Sequence, residues 1–334
     1  MPEIPFPSLT ARRVFITGGS GFIGTNLIES LLEQGCEVCN YDPQPPLQPA
    51  HRPHHQVGDI LDASSLRQSV AAFQPDNLIH LAARTDCDET TTVKDGYRAN
   101  TDGTQNVLDA IKATPGIQRA LITSSQYVAG PGRLPKGDED YFPHTVYGWS
   151  KVETERLTRA ADLPCTWTLI RPVNIWGPWH QRYTREFWKI VHKGLYLHPG
   201  VPSPTRTYGY VGNIVWQIMR ILELPPTMVD KQVFYVGDRP ISIDKWIYAF
   251  HREIRGRDPL KIPFPAIKAL AVAGDGISRL TGKPFYITSS RLRSMTQDYL
   301  TDIEPTFTTL GEPPFSLGEG VKQTTDWLRQ EVWK

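Results

Sequence analysis

The sequence is poor in the features that would place a chain in a membrane, in an oxidising compartment or on a nucleic acid. No uninterrupted apolar run is long enough to span a bilayer. Four cysteines among 334 residues are too few for a disulfide framework. Thirty-six basic residues nearly cancel 35 acidic ones, and the formal charge of +1 gives no support for a nucleic-acid or acidic-membrane partner. The opening MPEIPFPSLT has neither a basic segment nor an apolar one, so it does not read as a secretion signal. A cytoplasmic protein without a membrane or nucleic-acid partner is expected. Metal ligands are scarce too. Cys36 and Cys39 form C-x-x-C inside CEVCNYD, but in a strand residues three apart point to opposite faces, which suits structural thiols better than a redox pair or a metal clamp. His51, His54 and His55 fall in a proline-rich stretch with no companion cysteine or carboxylate cluster and read as a solvated loop.

What is present is globular: 40% apolar, 21% charged and 10% aromatic residues, in a chain long enough for two domains. RRVFITGG reads as a short strand ending in glycines, and GFIGTNLIESLLEQG has helical spacing, with Ile23, Leu27, Ile28, Leu31 and Leu32 on one stripe and Gly35 as its stop. EVCNYD is a second strand, and the proline-rich PQPPLQPAHRP a loop. Strand and helix then alternate through HHQVGDI, ASSLRQSVAAF, NLIHLAA, GYRANTDGTQNVLDAIKA, RALITSS, TVYGWSKVETERLTRAA and CTWTLIRP. Such alternation predicts an α/β fold with a doubly wound parallel sheet. After Asn174 the regularity breaks into segments rich in Trp, Tyr, Pro and His; QVFYVGDRPISIDKWIYAF resembles a return to strand and helix, and SLGEGVKQTTDWLRQEVWK a C-terminal helix.

TGGSGFIG, residues 17 to 24, fits a glycine-rich phosphate loop through Gly18 or Gly19, Gly21 and Gly24. Its place between a strand and a helix is the context such a loop needs: glycines permit the tight turn, and the helix N-terminus favours a pyrophosphate. Asp42 ends the second strand, 18 residues after Gly24, where a carboxylate accepts from an adenosine ribose and repels a 2′-phosphate. NAD is therefore expected over NADP, although Arg52 lies in the following loop. Asp59 either caps the next helix or meets the adenine edge; Asp62 is the better helix cap.

Tyr147 and Lys151, in YGWSK, share a helix face. A phenol of ordinary pKa, near ~10, is a poor base at neutral pH, and a neighbouring ammonium or nicotinamide cation stabilises its anion. Ser124 and Ser125 end the strand LITSS, at the sheet edge that borders a ligand crevice.

Together these pieces resemble the extended short-chain dehydrogenases/reductases, in the NAD-dependent epimerase/dehydratase group that acts largely on nucleotide sugars. TGGSGFIG, GDI, HLAA (80 to 83), NTDGT (100 to 104), SSQYVAG, YGWSK, RPVNIWGP (171 to 178) and the terminal SLGEGVKQTTDWLR carry the resemblance in order. It implies a Rossmann-type sheet over residues 1–173, with segments at about 207–250 returning to it, and a smaller substrate-binding lobe mainly over 174–334. It implies NAD contacts from Gly18, Gly21, Phe22, Ile23, Gly24, Asp42, Asp59, Ile60, Leu81, Ala82, Ala83, Asn100, Tyr147, Lys151, Pro172 and Val173. Tyr147 is then the acid/base, Lys151 lowers its pKa and holds the nicotinamide ribose, and Ser125 orients the substrate, with Ser124 as the fallback. Asn174 and Arg206 match residues near the sugar diphosphate, a role a guanidinium fork suits; Arg206 is otherwise an exposed loop arginine. A homodimer is expected on the same ground.

The pattern departs from sugar 4,6-dehydratases, which place an acidic pair after the serine; here Gln126 and Tyr127 stand there, so dehydration is not expected. YVGNIV and AVAGDGISRLTGKPFYITSSRLR also resemble the hydroxysteroid-dehydrogenase branch, and Arg84, Thr85 and Asp86 either touch a ligand or only pack. The leading expectation is a nucleotide-sugar 4-epimerase. A one-way NAD(P)-dependent dehydrogenase or ketoreductase, on a sugar nucleotide or a steroid-like alcohol, is the alternative. A non-catalytic dinucleotide sensor is a third reading, against which the complete Ser-Tyr-Lys set stands.

Overall fold

Strand β1 (Arg13–Thr17) buries Val14, Phe15 and Ile16 completely, as a strand covered on both faces must. Burying each such side chain is worth about 1.5–3 kcal/mol. The computed structural model describes residues 9, 12–200, 203–282, 288, 289, 292 and 298–334. These divide into two compact units: Met1–Trp179, Gly209–Asp238 and Asp302–Phe315 form the first, and His180–Tyr208, Arg239–Thr301 and Ser316–Lys334 the second.

The first unit is built on seven strands: β1, β2 (Glu37–Asp42), β3 (His55–Val57), β4 (Asn77–His80), β5 (Arg119–Thr123), β6 (Thr166–Pro172) and β7 (Gln232–Val236). Their order is β7-β6-β5-β4-β1-β2-β3, and every neighbouring pair is parallel. The chain leaves β1 towards β2 and β3, then returns to β4 on the other side. The order therefore reverses between β1 and β4, which is where a doubly wound sheet opens a crevice at the strands' carboxyl ends. Helices α1 (Phe22–Glu33), α2 (Ala63–Phe73), α3 (Asp102–Ala113), α4 (Val146–Ala160) and α5 (Val211–Glu223) cover the sheet. α1 packs on α5, α2 on α3, and α3 on α4. Between the sheet and α2–α3 lies a core of Phe15, Tyr41, Leu66, Val70, Leu108 and Trp167. Asp62 caps α2 through Ser65 N, and Thr145 caps α4 through Gly148 N.

Two sequence expectations change. The stretch expected as a solvated loop before β3 contains a 3₁₀ turn, Pro49–His54. Pro49 occupies its first turn, where a missing N–H costs nothing. His51 is buried there, with Nε2 2.8 Å from Glu29 Oε2, so it is no solvated histidine. The single helix expected from Gly96 onwards is broken into a turn at Val93–Gly96, a 3₁₀ turn at Arg98–Asn100, and α3. Arg84 Nη1 takes the Gly96 carbonyl at 2.8 Å, removing it from any continuing helical ladder.

The second unit has little sheet. Leu197–Pro199 pairs in parallel with Leu260–Ile262, and Thr205–Arg206 runs antiparallel to Ile241–Ser242. Its larger helices are α6 (Ile243–Arg255), α7 (Phe264–Thr281) and α8 (Leu317–Trp327). Aromatic residues hold it: Tyr208 stacks on Trp246 at 5.1 Å, Phe187 lies 4.8 Å from Trp246, and Trp188 is fully buried beside Phe250. These rings build a core. AVAGDGISRLTGKPFYITSSRLR falls partly outside the described residues. No helix among the described residues is long and apolar enough to cross a membrane.

Candidate active site

The residues expected at the site in the first unit lie at or just after strand ends. Gly18 follows β1, Asp42 ends β2, Leu81–Ala83 follow β4, Ser124 and Ser125 follow β5, and Pro172 and Val173 close β6. Gly18 has φ +77°, and a Cβ there would fall 2.5 Å from Ala82 N, so only glycine fits. A Cβ on Gly24 would strike Gly19 at 2.5 Å. Gly21 is different: a Cβ would meet only the Gly18 carbonyl, at 3.2 Å, so its outer side is open. No side chain caps the first turn of α1, where Phe22 and Ile23 lie, and no acid stands there. Asp42 Oδ2 accepts from Ser20 N at 3.1 Å and Oδ1 from Gln44 N at 2.8 Å, which ties β2 to the glycine loop. Burial raises its pKa, opposed by those two N–H groups. Asp59 is exposed and accepts from Leu61 N at 2.9 Å, while Ile60 is buried in the gap left by Gly103.

Ser124 and Ser125 face different partners. Ser124 Oγ donates to Glu155 Oε1 at 2.5 Å and is held by that bond. Ser125 Oγ instead accepts from Tyr127 N at 3.2 Å, and its nearness to the Tyr147 hydroxyl pulls the phenol's pKa down against a larger rise from burial. The net direction for Tyr147 is upward, opposite to the lowering expected from Lys151. Lys151 Nζ donates to the Thr123 carbonyl at 2.9 Å, and burial brings its own pKa down to about 8, with Glu155 opposing. Tyr97 and Tyr127 flank the Tyr147 ring at 6.2 and 5.8 Å.

Asn100 spends its amide on structure. Nδ2 donates to the Arg84 carbonyl at 3.0 Å and to Ser150 Oγ at 2.8 Å, and Oδ1 accepts from Arg84 N at 2.8 Å. Arg84 pairs with Asp86 and Asp88 and lies over the Tyr97 ring, so it staples the segment that packs on Tyr147. Asp86 belongs to that staple, and Thr85 is exposed. Asn174 begins a short strand, Asn174–Trp176, in the first unit. Arg206 lies in the second unit, half-buried in the strand Thr205–Arg206 rather than in an exposed loop.

A model of the NAD dependent epimerase/dehydratase family matches residues 14–237. The chain belongs to that family. Among curated proteins it is 27% identical to the N-acetyl-alpha-D-glucosaminyl-diphospho-ditrans,octacis-undecaprenol 4-epimerase of Escherichia coli O157:H7, over 94% of each chain. It is 32% identical to the 3 beta-hydroxysteroid dehydrogenase/Delta 5-->4-isomerase of Mycobacterium tuberculosis (strain CDC 1551 / Oshkosh), over 78% of this chain and 75% of the other. The fold is shared with the UDP-glucose 4-epimerase of Thermotoga maritima, at a TM-score of 0.72 and 22% identity, over 96% of this chain and 99% of that one.

The residues of this epimerase-family chain fit the dinucleotide that its family uses. An open Gly21 beside an uncapped helix start suits a pyrophosphate, and Asp42 at the end of β2 keeps lone pairs for ribose hydroxyls. Beneath them lies a buried polar framework that sequence reading missed. Glu155, fully buried, holds Arg171 through Nη2–Oε2 at 2.7 Å and Nε–Oε1 at 2.8 Å, and accepts from Tyr141 at 2.9 Å. His80 lies 2.7 Å from Thr17 Oγ1 and 3.1 Å from Thr104 Oγ1. Thr104 already donates to Asn100 O, so His80 Nε2 is the donor and Nδ1 the acceptor. Burial, with Lys151 adding, drives the His80 pKa to about 3 and keeps the ring neutral. One signal pointed to Glu155: it stands four residues after Lys151 and eight after Tyr147, on the same helix face.

Proposed function

We propose that the protein is an NAD-dependent 4-epimerase of sugars carried on a diphosphate, nucleotide sugars foremost. The observation that carries this reading is the buried grouping of Ser125, Tyr147 and Lys151, with Gln126 and Tyr127 where a dehydratase needs acids. Tyr147 accepts the proton of the sugar 4-hydroxyl and Ser125 hydrogen-bonds the same oxygen, holding it in line. Lys151 supplies positive charge behind the phenol and a donor for the nicotinamide ribose. NAD, when bound, would supply a reversible acceptor for the hydride of sugar C4, so the keto-sugar can turn over and take that hydride back on its other face. Tyr147 then returns the proton to the new hydroxyl. Because burial alone raises the Tyr147 pKa, its anion depends on the positive charge of the oxidised cofactor together with Lys151. Arg206 is assigned to the sugar diphosphate, where a guanidinium fork pairs with phosphate oxygens.

The kinship to a hydroxysteroid dehydrogenase favours one second reading, net oxidation of an apolar alcohol by the same three residues. Incubation with UDP-, GDP-, CDP- and dTDP-sugars without added cofactor separates the two. Interconversion of 4-epimers, lost in Tyr147→Phe, is expected; turnover only with added NAD or NADP, and net accumulation of a ketone, would sink the epimerase. We place the protein in the cytoplasm, where its cysteine thiols stay reduced. We also infer a homodimer through the face of α3 and α4, where Trp149 is 49% exposed on the rim of an open groove with Val93, Arg98 and Arg156. Trp149→Asp is then expected to give a monomer in sedimentation.

A further inference from the structure

Helix α7 reverses the usual pattern of a surface helix. Its inner face is narrow: Ile267, Ala271 and Gly274 are buried, the first two against Leu292. At 100° per residue, the outward positions run from Val272 through Gly276, Ala269, Leu280, Ala273, Ala266 and Ile277 to Leu270. That arc covers roughly 160° without one charged or polar side chain. Val272 is 60% exposed, Leu280 89%, Leu270 43% and Ile277 41%. A water-facing helix carries polar residues on such an arc. The hydroxyls of Ser278 and Thr281 turn back onto the Gly274 and Ile277 carbonyls, at 2.8 Å each. Asp275 is half-buried and accepts from Ser289 N at 3.1 Å. The charges that border the arc, Lys268 and Arg279, are both exposed and both basic, three turns apart along the same edge.

The sequence around the helix has the same sign. From residue 261 to 297 it contains three lysines and three arginines against a single acid, Asp275, in a chain whose formal charge is only +1. The whole-chain balance that gave no support for an acidic surface as partner averages this asymmetry away. At 18 residues α7 is about 27 Å long and apolar on one side only, so it can lie along a bilayer but not cross it. A second copy of the chain is a poorer occupant, because a self-complementary contact would set this basic segment against itself.

We propose that α7 is a membrane-surface anchor, its apolar arc seated in the interface of an anionic phospholipid bilayer with Lys268 and Arg279 at the headgroups. A protein so held meets sugar diphosphates whose far end is anchored in the same bilayer. That consequence rests on the epimerase reading; the docking itself does not.

The test is flotation of the full chain with extruded vesicles of phosphatidylcholine, with or without phosphatidylglycerol, at low and high salt. Partition onto the anionic vesicles is expected to exceed that onto neutral ones by about tenfold or more and to fall with salt. Val272→Asp with Leu280→Asp, at exposed positions that leave the fold and the thermal transition unchanged, is expected to lower it at least ~10-fold. Lys268→Glu with Arg279→Glu is expected to abolish the preference for phosphatidylglycerol. No flotation at low salt, or equal flotation by the Asp variant, would overturn the proposal. So would an oligomer that the Asp variant dissolves in the absence of lipid, since the face would then belong to a second copy. Flotation uses no sugar, so an inactive enzyme that floats refutes only the epimerase reading.

Discussion

The two units treat their polar and apolar groups in opposite ways. The first buries charges deeply and gives each a partner: Glu155 with Arg171, Lys151 with the Thr123 carbonyl, His80 between two threonines. The second builds its core from stacked aromatic rings and leaves the outward arc of α7 apolar. Buried ionic networks are poor sources of stability compared with apolar packing, but they fix side chains in one arrangement. That suits the acid/base role proposed for Tyr147 with Ser125 and Lys151. An exposed apolar face suits a unit that meets something outside the chain.

The comparison breaks most visibly at Tyr147. Tyr147→Phe is expected to lower kcat by at least ~10³-fold with little change in KM, while bound nucleotide and thermal stability persist. A fall in stability of the same order as the loss of activity would make the tyrosine a packing residue. Glu155→Ala comes next. It strands a fully buried guanidinium and should cost about 3–5 kcal/mol in denaturant unfolding, with activity lost alongside. The contrast in the second unit is Arg206→Ala, for which KM for a sugar diphosphate should rise about 10- to 100-fold through loss of a charged hydrogen bond, with unfolding barely changed.

The smallest effect concerns pH. The folded pKa of Lys151 is depressed to about 8, below its unfolded value near ~10.5. Between those values the unfolded chain binds the proton and the folded chain does not, so this group makes stability rise with pH across that window. Below pH ~8 the ammonium is buried at a cost. Lys151→Met should flatten the rise relative to the parent chain, measured as the difference between their unfolding free energies at successive pH values.

Much of the first unit was legible because its signals are local. The β1 run, the glycine loop and the Tyr147–Lys151 spacing each lie within a few residues. Asp62 declared itself as a cap by its place before an apolar period. The preference for Ser125 over Ser124 came from the resemblance; that Glu155, 31 residues away, holds Ser124 is a long-range contact that no local pattern carries. The upward pull on the Tyr147 pKa was likewise hidden, since burial is a property of packing and the Lys151 ammonium is committed to Thr123. Arg84 was ambiguous until Asp86, Asp88 and the Gly96 carbonyl were seen to surround it. The 3₁₀ turn at Pro49–His54 escaped because prolines were read as breakers, although a first-turn proline costs a helix nothing. In the second unit the strands are two or three residues long, too short for any period to register. The arc on α7 was hidden by averages of charge and hydropathy over the chain.

The measurement that tests the central claim most directly is the identity of any nucleotide released by denaturing freshly purified protein, read by mass. An epimerase that regenerates its own cofactor on every turnover predicts NAD at close to one per chain. An empty site, or NADP in its place, would contradict it.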